Sequence, residues 1–342
     1  MALTPVVLAL NASGLAVAQM IARALDAPLH GRTGRVVQAD AFFDNALDHA
    51  RDLFAAGVPI VGVCASGILI RAVAPLLSDK TQEPPVVSVA DDGSVVVPLL
   101  GGHRGANRLA RNIAEALDST AAVTTAGDVS LGVSLDEPPE GWALANPQDA
   151  KGAMVALLSG GGVALAGSEA SRAAWLADMP AGDAVRLSFD MMRQSDLGSH
   201  HLHFAPKRVT IGVGCARNCP PQELADLVRT ALNEAGVCDA AVHSINTISL
   251  KADEPAILEL ARQLNAPLRL FPAEALEEEA PRLATPSAVV FAEVGCHGVS
   301  EGAALAQLGS EGKLWVQKRK TAHATVALGL ADMPLSDLRG AA

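Results

Sequence analysis

Short β-branched runs alternate with helical repeats along most of this chain, and that alternation restricts the fold more than any single motif. "PVVLAL" at 5–10 leads into "SGLAVAQMIARALDA", where Val17, Ile21 and Leu25 recur every four residues. "VPIVGVCA" leads into "SGILIRAVAPLL", where Leu69, Val73 and Leu76 share a face. "VSVADDGSVVVPLL" reads as a hairpin turning at Asp92-Gly93. "GANRLARNIAEAL" repeats Leu109, Ile113 and Leu117 before the strand "AAVTT". Apolar strands separated by amphipathic helices predict an α/β fold with mainly parallel sheets covered by helices.

A weaker stretch follows. "LDEPPEGWALANPQDA" is rich in turn residues, and "KGAMVALLSGGGVALAG" reads as a helix, a glycine turn and a strand. "HHLHFAPKR" reads as a linker whose three histidines, His200, His201 and His203, sit in a solvated loop. A second β/α pattern starts at Val209 with "VTIGVG", the helix "PPQELADLVRTALNEAG", "AVHSINT", "EPAILELARQLN" and "PLRLF". A helix near Val299–Leu308 and the strands "KLWVQ" and "ATVALG" close it. Two β/α domains, 1–128 and 207–342, are therefore expected on either side of a small middle module at 129–206. No internal repeat stands out.

The 342 residues are half hydrophobic, with 3% aromatics and no Tyr, which suits buried strands and helices and argues against a nucleic-acid binder. A net charge of −11 means that an anionic ligand has to be met by local cations or helix N-termini. Five irregularly spaced cysteines argue against a disulfide framework. No basic region precedes the first apolar run, and no run reaches ~18 apolar residues. A reducing, cytoplasmic setting without a membrane span is the expectation.

Three strand-to-helix turns can carry chemistry: "VCASGI" at 63–68, "GGHRGAN" at 101–107 and "VGCARNCPP" at 213–221. Glycines there admit a ligand to the backbone, although each turn also reads as a tight connection. The first two are expected to line one pocket. His103 can move a proton or orient water near neutral pH. Gly101, Gly102, Arg104, Gly105 and Asn107 surround it in sequence. Ser66 is a candidate nucleophile and, more simply, the N-cap of a helix starting at Gly67. Lys80 ends that helix, where it either compensates the dipole or meets a carboxylate; Arg71 has the same choice. Gly214, Cys215, Lys251 and the run Lys318–Lys320 are the cationic or backbone elements of the second half. Cys215, Cys219 and Cys296 beside His297 are too scattered for a metal site. No G-x-G-x-x-G or Walker A pattern supports a nucleotide enzyme.

Taken in order, these stretches resemble a known family. "GVPIVGVCASGILIRAVAPLLSDKTQEPPVVSVADDGSVVVPLLGGHRGANRLARNIAEAL" with "AAVTTAGD" is similar to the N-terminal domain of the cobalt-precorrin-5A hydrolases. "VTIGVGCARNCPPQELADLV", "TISLKADEP" and "VQKRKTAHATVALG" resemble that family's C-terminal domain. The resemblance implies opening of the δ-lactone of a contracting tetrapyrrole and release of acetaldehyde. It implies cobalt carried by the substrate and no resident cofactor or protein metal site. It also implies transient contact with pathway methyltransferases, and it is compatible with a homodimer. In that setting His103 becomes the water-activating base, the amides near Ser66 and Gly102 the oxyanion donors, and Lys80 a catalytic cation. Gly67, Arg71, Gly101, Gly102, Arg104, Gly105, Asn107, Gly214, Cys215, Lys251, Lys318 and Lys320 become substrate contacts. A non-catalytic carrier of pathway intermediates is the competing reading.

Overall fold

A computed structural model describes residues 4–335 apart from Thr81 and Asp196; the side chains of His103, Ala126 and Asp128 also lie outside the described set. The chain divides into two compact units, Ala2–Gly132 and Val133–Ala342.

The first unit is one seven-stranded sheet. Its strands are β1 (Val6–Ala9), β2 (Leu29–Arg32), β3 (Ala41–Phe43), β4 (Ile60–Val63), β5 (Val86–Val89), β6 (Val95–Leu100) and β7 (Thr120–Ala121). They lie in the order β3-β2-β1-β4-β5-β6-β7. The first five run parallel, and β6 turns back antiparallel to β5. The helices are α1 (Leu15–Ala24), α2 (Ala46–Ala55), α3 (Ser66–Val73), α4 (Ala106–Ala116) and α5 (Ala126–Leu131). Along β1, Val7 and Ala9 pack with Ile21 of α1 and Ile113 of α4, whereas Val6 and Leu8 pack with Phe54 of α2 and Leu69 of α3. Both faces of β1 and β4 are buried, so these two strands carry no polar side chain. Each fully buried Val, Leu, Ile or Phe among them contributes about 1.5–3 kcal/mol.

The second unit holds two sheets. The strands β8 (Trp142–Leu144), β9 (Val163–Ala166), β10 (Val185–Phe189) and β11 (His201–Pro206) lie in the order β8-β11-β10-β9, beside α6 (Ala150–Leu158). The expected histidine linker is therefore a central strand. His203 is buried while Leu202 and Phe204 face the other way. Its Nδ1 meets the Ser188 hydroxyl while its Nε2 is buried without a partner among the described residues, so the site favours the neutral ring over the charge that a solvated reading allows. Burial lowers the pKa of both His201 and His203. Ser188 Oγ stands 2.8 Å from His201 Nε2 and 3.1 Å from His203 Nδ1. The opposite face carries stacked Phe189 and Phe204, with Trp142 edge-on to Phe189 and Trp175 edge-on to both phenylalanines.

The second sheet has β12 (Val209–Cys215), β13 (Val242–Ile248), β14 (Leu268–Phe271), β15 (Lys313–Lys320) and β16 (Ala324–Leu330) in the order β14-β13-β12-β16-β15. Its helices are α7 (Pro221–Glu234), α8 (Pro255–Gln263), α9 (Ala273–Glu277), α10 (Ala288–Val294) and α11 (Val299–Ala306). On one face Leu224 and Val228 of α7 and Ile257 of α8 cover the strands. On the other lies α11, buried from Ser300 to Leu305, where Ser300, Gly302, Ala303 and Ala304 are small. It sits so close that a Cβ at Gly212 would strike the Ser300 carbonyl and approach the Ala304 amide to 2.5 Å.

Gly212→Ala should therefore destabilise the second unit by about 3 kcal/mol, since over-packing a dense core is costly. Trp142, Trp175 and Trp315, the chain's three tryptophans, all belong to this unit. A lowered urea midpoint in tryptophan fluorescence is the expected result, and an unchanged midpoint would refute the close approach.

Candidate functional site

In the first unit a cavity of about 470 Å³ opens where β1, β4 and β5 end. Connections leave β1 toward β2 on one side and β4 toward β5 on the other, so this is the point at which the sheet's winding reverses. β1 ends in Asn11-Ala12-Ser13-Gly14 before α1, and β4 in Cys64-Ala65-Ser66-Gly67 before α3. Adjacent parallel strands thus close with the same x-Ala-Ser-Gly turn, a repeat that the sequence reading missed.

Ser66 is the first residue of α3, and Ala65 holds the N-cap position without a side-chain bond. The expected N-cap role for Ser66 therefore does not hold. Its hydroxyl donates instead to Ser88 Oγ (3.1 Å), which donates to the Cys64 carbonyl (2.8 Å). Across the cavity Asn11 Nδ2 donates to Asp91 Oδ2 (2.9 Å), and Ser13 Oγ lies 2.8 Å from the same oxygen. Oδ1 of Asp91 has no bonding partner among the described residues. Asn11, Ser88 and Asp91 line this cavity and were absent from the sequence candidates. A polar residue directly after an apolar strand was the available signal.

The Gly101–Gly105 turn lies elsewhere. Val89 pairs with Val96 and Val86 with Leu100, so β6 carries the chain back to the amino ends of the parallel strands. Six residues of strand span roughly 20 Å. The two turns expected to line one pocket therefore stand at opposite ends of the sheet, and the reversal is the hairpin at Asp92-Gly93. Gly101 has φ +76°, and the Pro84 and Pro85 backbone fills the space of its missing side chain. Arg104 Nη1 donates to the Gln82 carbonyl (2.9 Å). Gly102 faces open space. Buried Asn107 ties α4 to Thr125 (3.1 Å). Helix α3 ends at Val73, ahead of Pro75, which leaves exposed Lys80 in the following loop rather than at a helix end. Arg71 folds back onto the Gly67 carbonyl (2.9 Å).

In the second unit a cavity of about 460 Å³ gathers Gly214, Cys215, Lys251, Lys318 and Lys320, brought from three segments of the sequence. It sits at the carboxyl ends of β12 and β13, beside the β15–β16 turn. Ile248, Val290, Val294 and Val299 supply an apolar wall; Glu293, Ser300 and His323 add polar groups. Lys251 Nζ lies 3.3 Å from Glu254 Oε2, and Lys318 Nζ donates to the Thr285 carbonyl (3.2 Å). Lys320 has no polar partner among the described residues. Glu223 accepts from Thr321 Oγ1 and from the amide and ring of His323, which fixes the turn and holds its own pKa down at about 2. Burial raises the pKa of both cavity thiols, to about 12 for Cys64 and about 11 for Cys215. Among the described residues no group of three or more His, Cys, Asp or Glu is placed to hold a metal ion. No helix among them is long and apolar enough to cross a membrane.

Two family models match the chain: Cobalamin synthesis G N-terminal over residues 48–128 and Cobalamin synthesis G C-terminus over 209–329. A cobalt-precorrin-5A hydrolase of Salmonella typhimurium is 31% identical over 94% of this chain and 96% of its own. One from Priestia megaterium is 26% identical over 81% of this chain and 80% of its own. The protein CobE of a Sinorhizobium species is 46% identical over 35% of this chain and 78% of its own.

The raised thiol pKa values predict inert cysteines. At about pH 8 iodoacetamide should leave Cys64 and Cys215 largely unmodified, with alkylation accelerating only above about pH 10. Peptide mass spectrometry reads this directly, and rapid labelling near neutrality would contradict it.

Proposed function

The chain belongs to the cobalt-precorrin-5A hydrolase family, and from that premise we propose that it hydrolyses the ring-contraction δ-lactone of cobalt-precorrin-5A. Water adds to the lactone carbonyl and the ester C–O bond breaks. This frees a carboxylate on one ring arm and a hydroxyl on the extruded two-carbon unit. A retro-aldol cleavage then breaks the C–C bond to that unit. The hydroxyl proton is lost, acetaldehyde leaves, and the electron-poor macrocycle takes up the electron pair to give cobalt-precorrin-5B.

The observation that carries this reading is the lysine-lined cavity of the second unit. The substrate is a flat apolar ring rimmed with acetate and propionate groups. Lys251, Lys318 and Lys320 suit the rim, and the Ile248–Val290–Val294–Val299 wall suits the ring edge. On a chain of net charge −11 such a cluster is a local exception.

For the hydrolytic step the first unit offers the cavity at the winding reversal. Asp91 Oδ1 is an accessible carboxylate oxygen oriented by Asn11 and Ser13, and it fits a general base. The start of α3, where Ser66 lines the cavity, supplies backbone amides for a developing oxyanion. This reading assigns the base to Asp91 rather than to His103, whose turn stands at the other end of the sheet.

Incubating the purified full chain with cobalt-precorrin-5A should release one equivalent of acetaldehyde. Binding without release would overturn the hydrolase reading in favour of a carrier. Asp91→Asn should lower kcat by roughly 100-fold or more while corrinoid binding persists. A loss confined to His103→Ala would return the base to the glycine turn.

A further inference from the structure

Helix α11 enters the second-unit cavity with an incomplete set of hydrogen bonds. Its N-cap is Gly298, which has no side chain to offer the first-turn amides. Ser300, in that first turn, lines the cavity and is only 1% exposed, yet its hydroxyl has no partner. A buried hydroxyl without a partner is unfavourable unless a ligand bonds it. The neighbouring acid does not use it. Glu301 accepts from the Thr285 amide (2.9 Å), the Thr285 hydroxyl (3.1 Å) and the Lys318 amide (2.8 Å). Of the cavity cations, Lys251 faces Glu254 and Lys318 faces the Thr285 carbonyl, whereas Lys320 is uncommitted among the described residues. Glu293, His323 and the Cys215 thiol complete the charged and titratable lining.

We infer that the start of α11 is a carboxylate-binding subsite, in which Ser300 donates its hydroxyl, the first-turn amides add backbone donors and Lys320 supplies the charge. A monoanion fits better than a phosphate dianion, because the buried Glu301 carboxylate already occupies the same helical turn. The inference rests on the tetrapyrrole reading only for the source of the carboxylate, an acetate or propionate arm of the ring. Ser300 then selects substrates whose arm at this position is a free acid over those in which it is an amide.

Two probes on the full chain test this separately. Glutarate stands for a free carboxylate, followed on the backbone amides of residues 299–301 by NMR. Saturable shifts are expected, weaker with inorganic phosphate, and lost in Ser300→Ala and Lys320→Gln. The second probe is a corrinoid pair read by absorbance: cobyrinic acid with free arms, and cobinamide with amidated arms. Ser300→Ala should weaken cobyrinic acid binding about tenfold and leave cobinamide unchanged. The Ser300→Ala chain is expected to keep its tryptophan unfolding midpoint, and exposed Lys320→Gln gives an independent variant. No glutarate shift in the unmodified chain, or equal cobyrinic acid affinity with and without Ser300, would overturn the subsite. Glutarate shifts without any corrinoid binding would sustain the subsite and overturn the tetrapyrrole reading instead.

Discussion

The second unit depends on how closely a helix can lie on its sheet. Gly212 on β12 and Gly329 on β16 both face α11, and a side chain at either would meet helix backbone. The Thr210 hydroxyl reaches the Ala304 carbonyl at 2.7 Å, so the contact is hydrogen-bonded as well as packed. From this seat the other placements follow. The first turn of α11 comes to rest over the carboxyl end of β12. Glu301 reaches the Lys318 amide on β15 and both donors of Thr285, which locks strand, helix and loop together. The backbone of β15 that carries Lys318 and Lys320 is thereby held beside the cavity.

The first unit obeys a different constraint, the direction of its strands. Parallel strands gather the starts of α1 and α3 at one end of the sheet. A single antiparallel strand carries the next glycine-rich turn to the other end. Glycine content alone cannot distinguish a ligand site from a corner. At Gly101 the Pro84–Pro85 backbone occupies the available space, and the turn serves the chain's own packing.

Much of the fold was legible because buried parallel strands and amphipathic helices leave periodic traces. The helices α1, α3, α4, α7 and α8 and the strands between them are read directly from apolar spacing. β2, with its sequence LHGR, and the three-residue β3 left no trace, since each is short and interrupted by polar or glycine positions. β11 was hidden by His201 and His203, whose rings share one face of the strand and meet Ser188. At the second-unit cavity the lysines were legible because such residues are rare in apolar surroundings, whereas Glu293 was not. Ser300 was not, because a serine in a small-residue helix says nothing until burial removes its partners. The opposite placement of Ser66 and Gly101 was implied by the Asp92-Gly93 hairpin, although only the strand register made it visible.

The pairing of β12 with β16 has a consequence for the making of the protein. Val209 lies beside Leu330, more than 100 residues later in the chain. While a nascent chain emerges, β12 already has β13 on one side and nothing on the other. Its apolar edge stays unpaired until the final hairpin arrives, and such edges recruit foreign strands. The stretch that completes the lysine cavity is therefore the same stretch that caps the sheet, and a ribosome stalled before it would release a chain prone to aggregate as well as unable to bind.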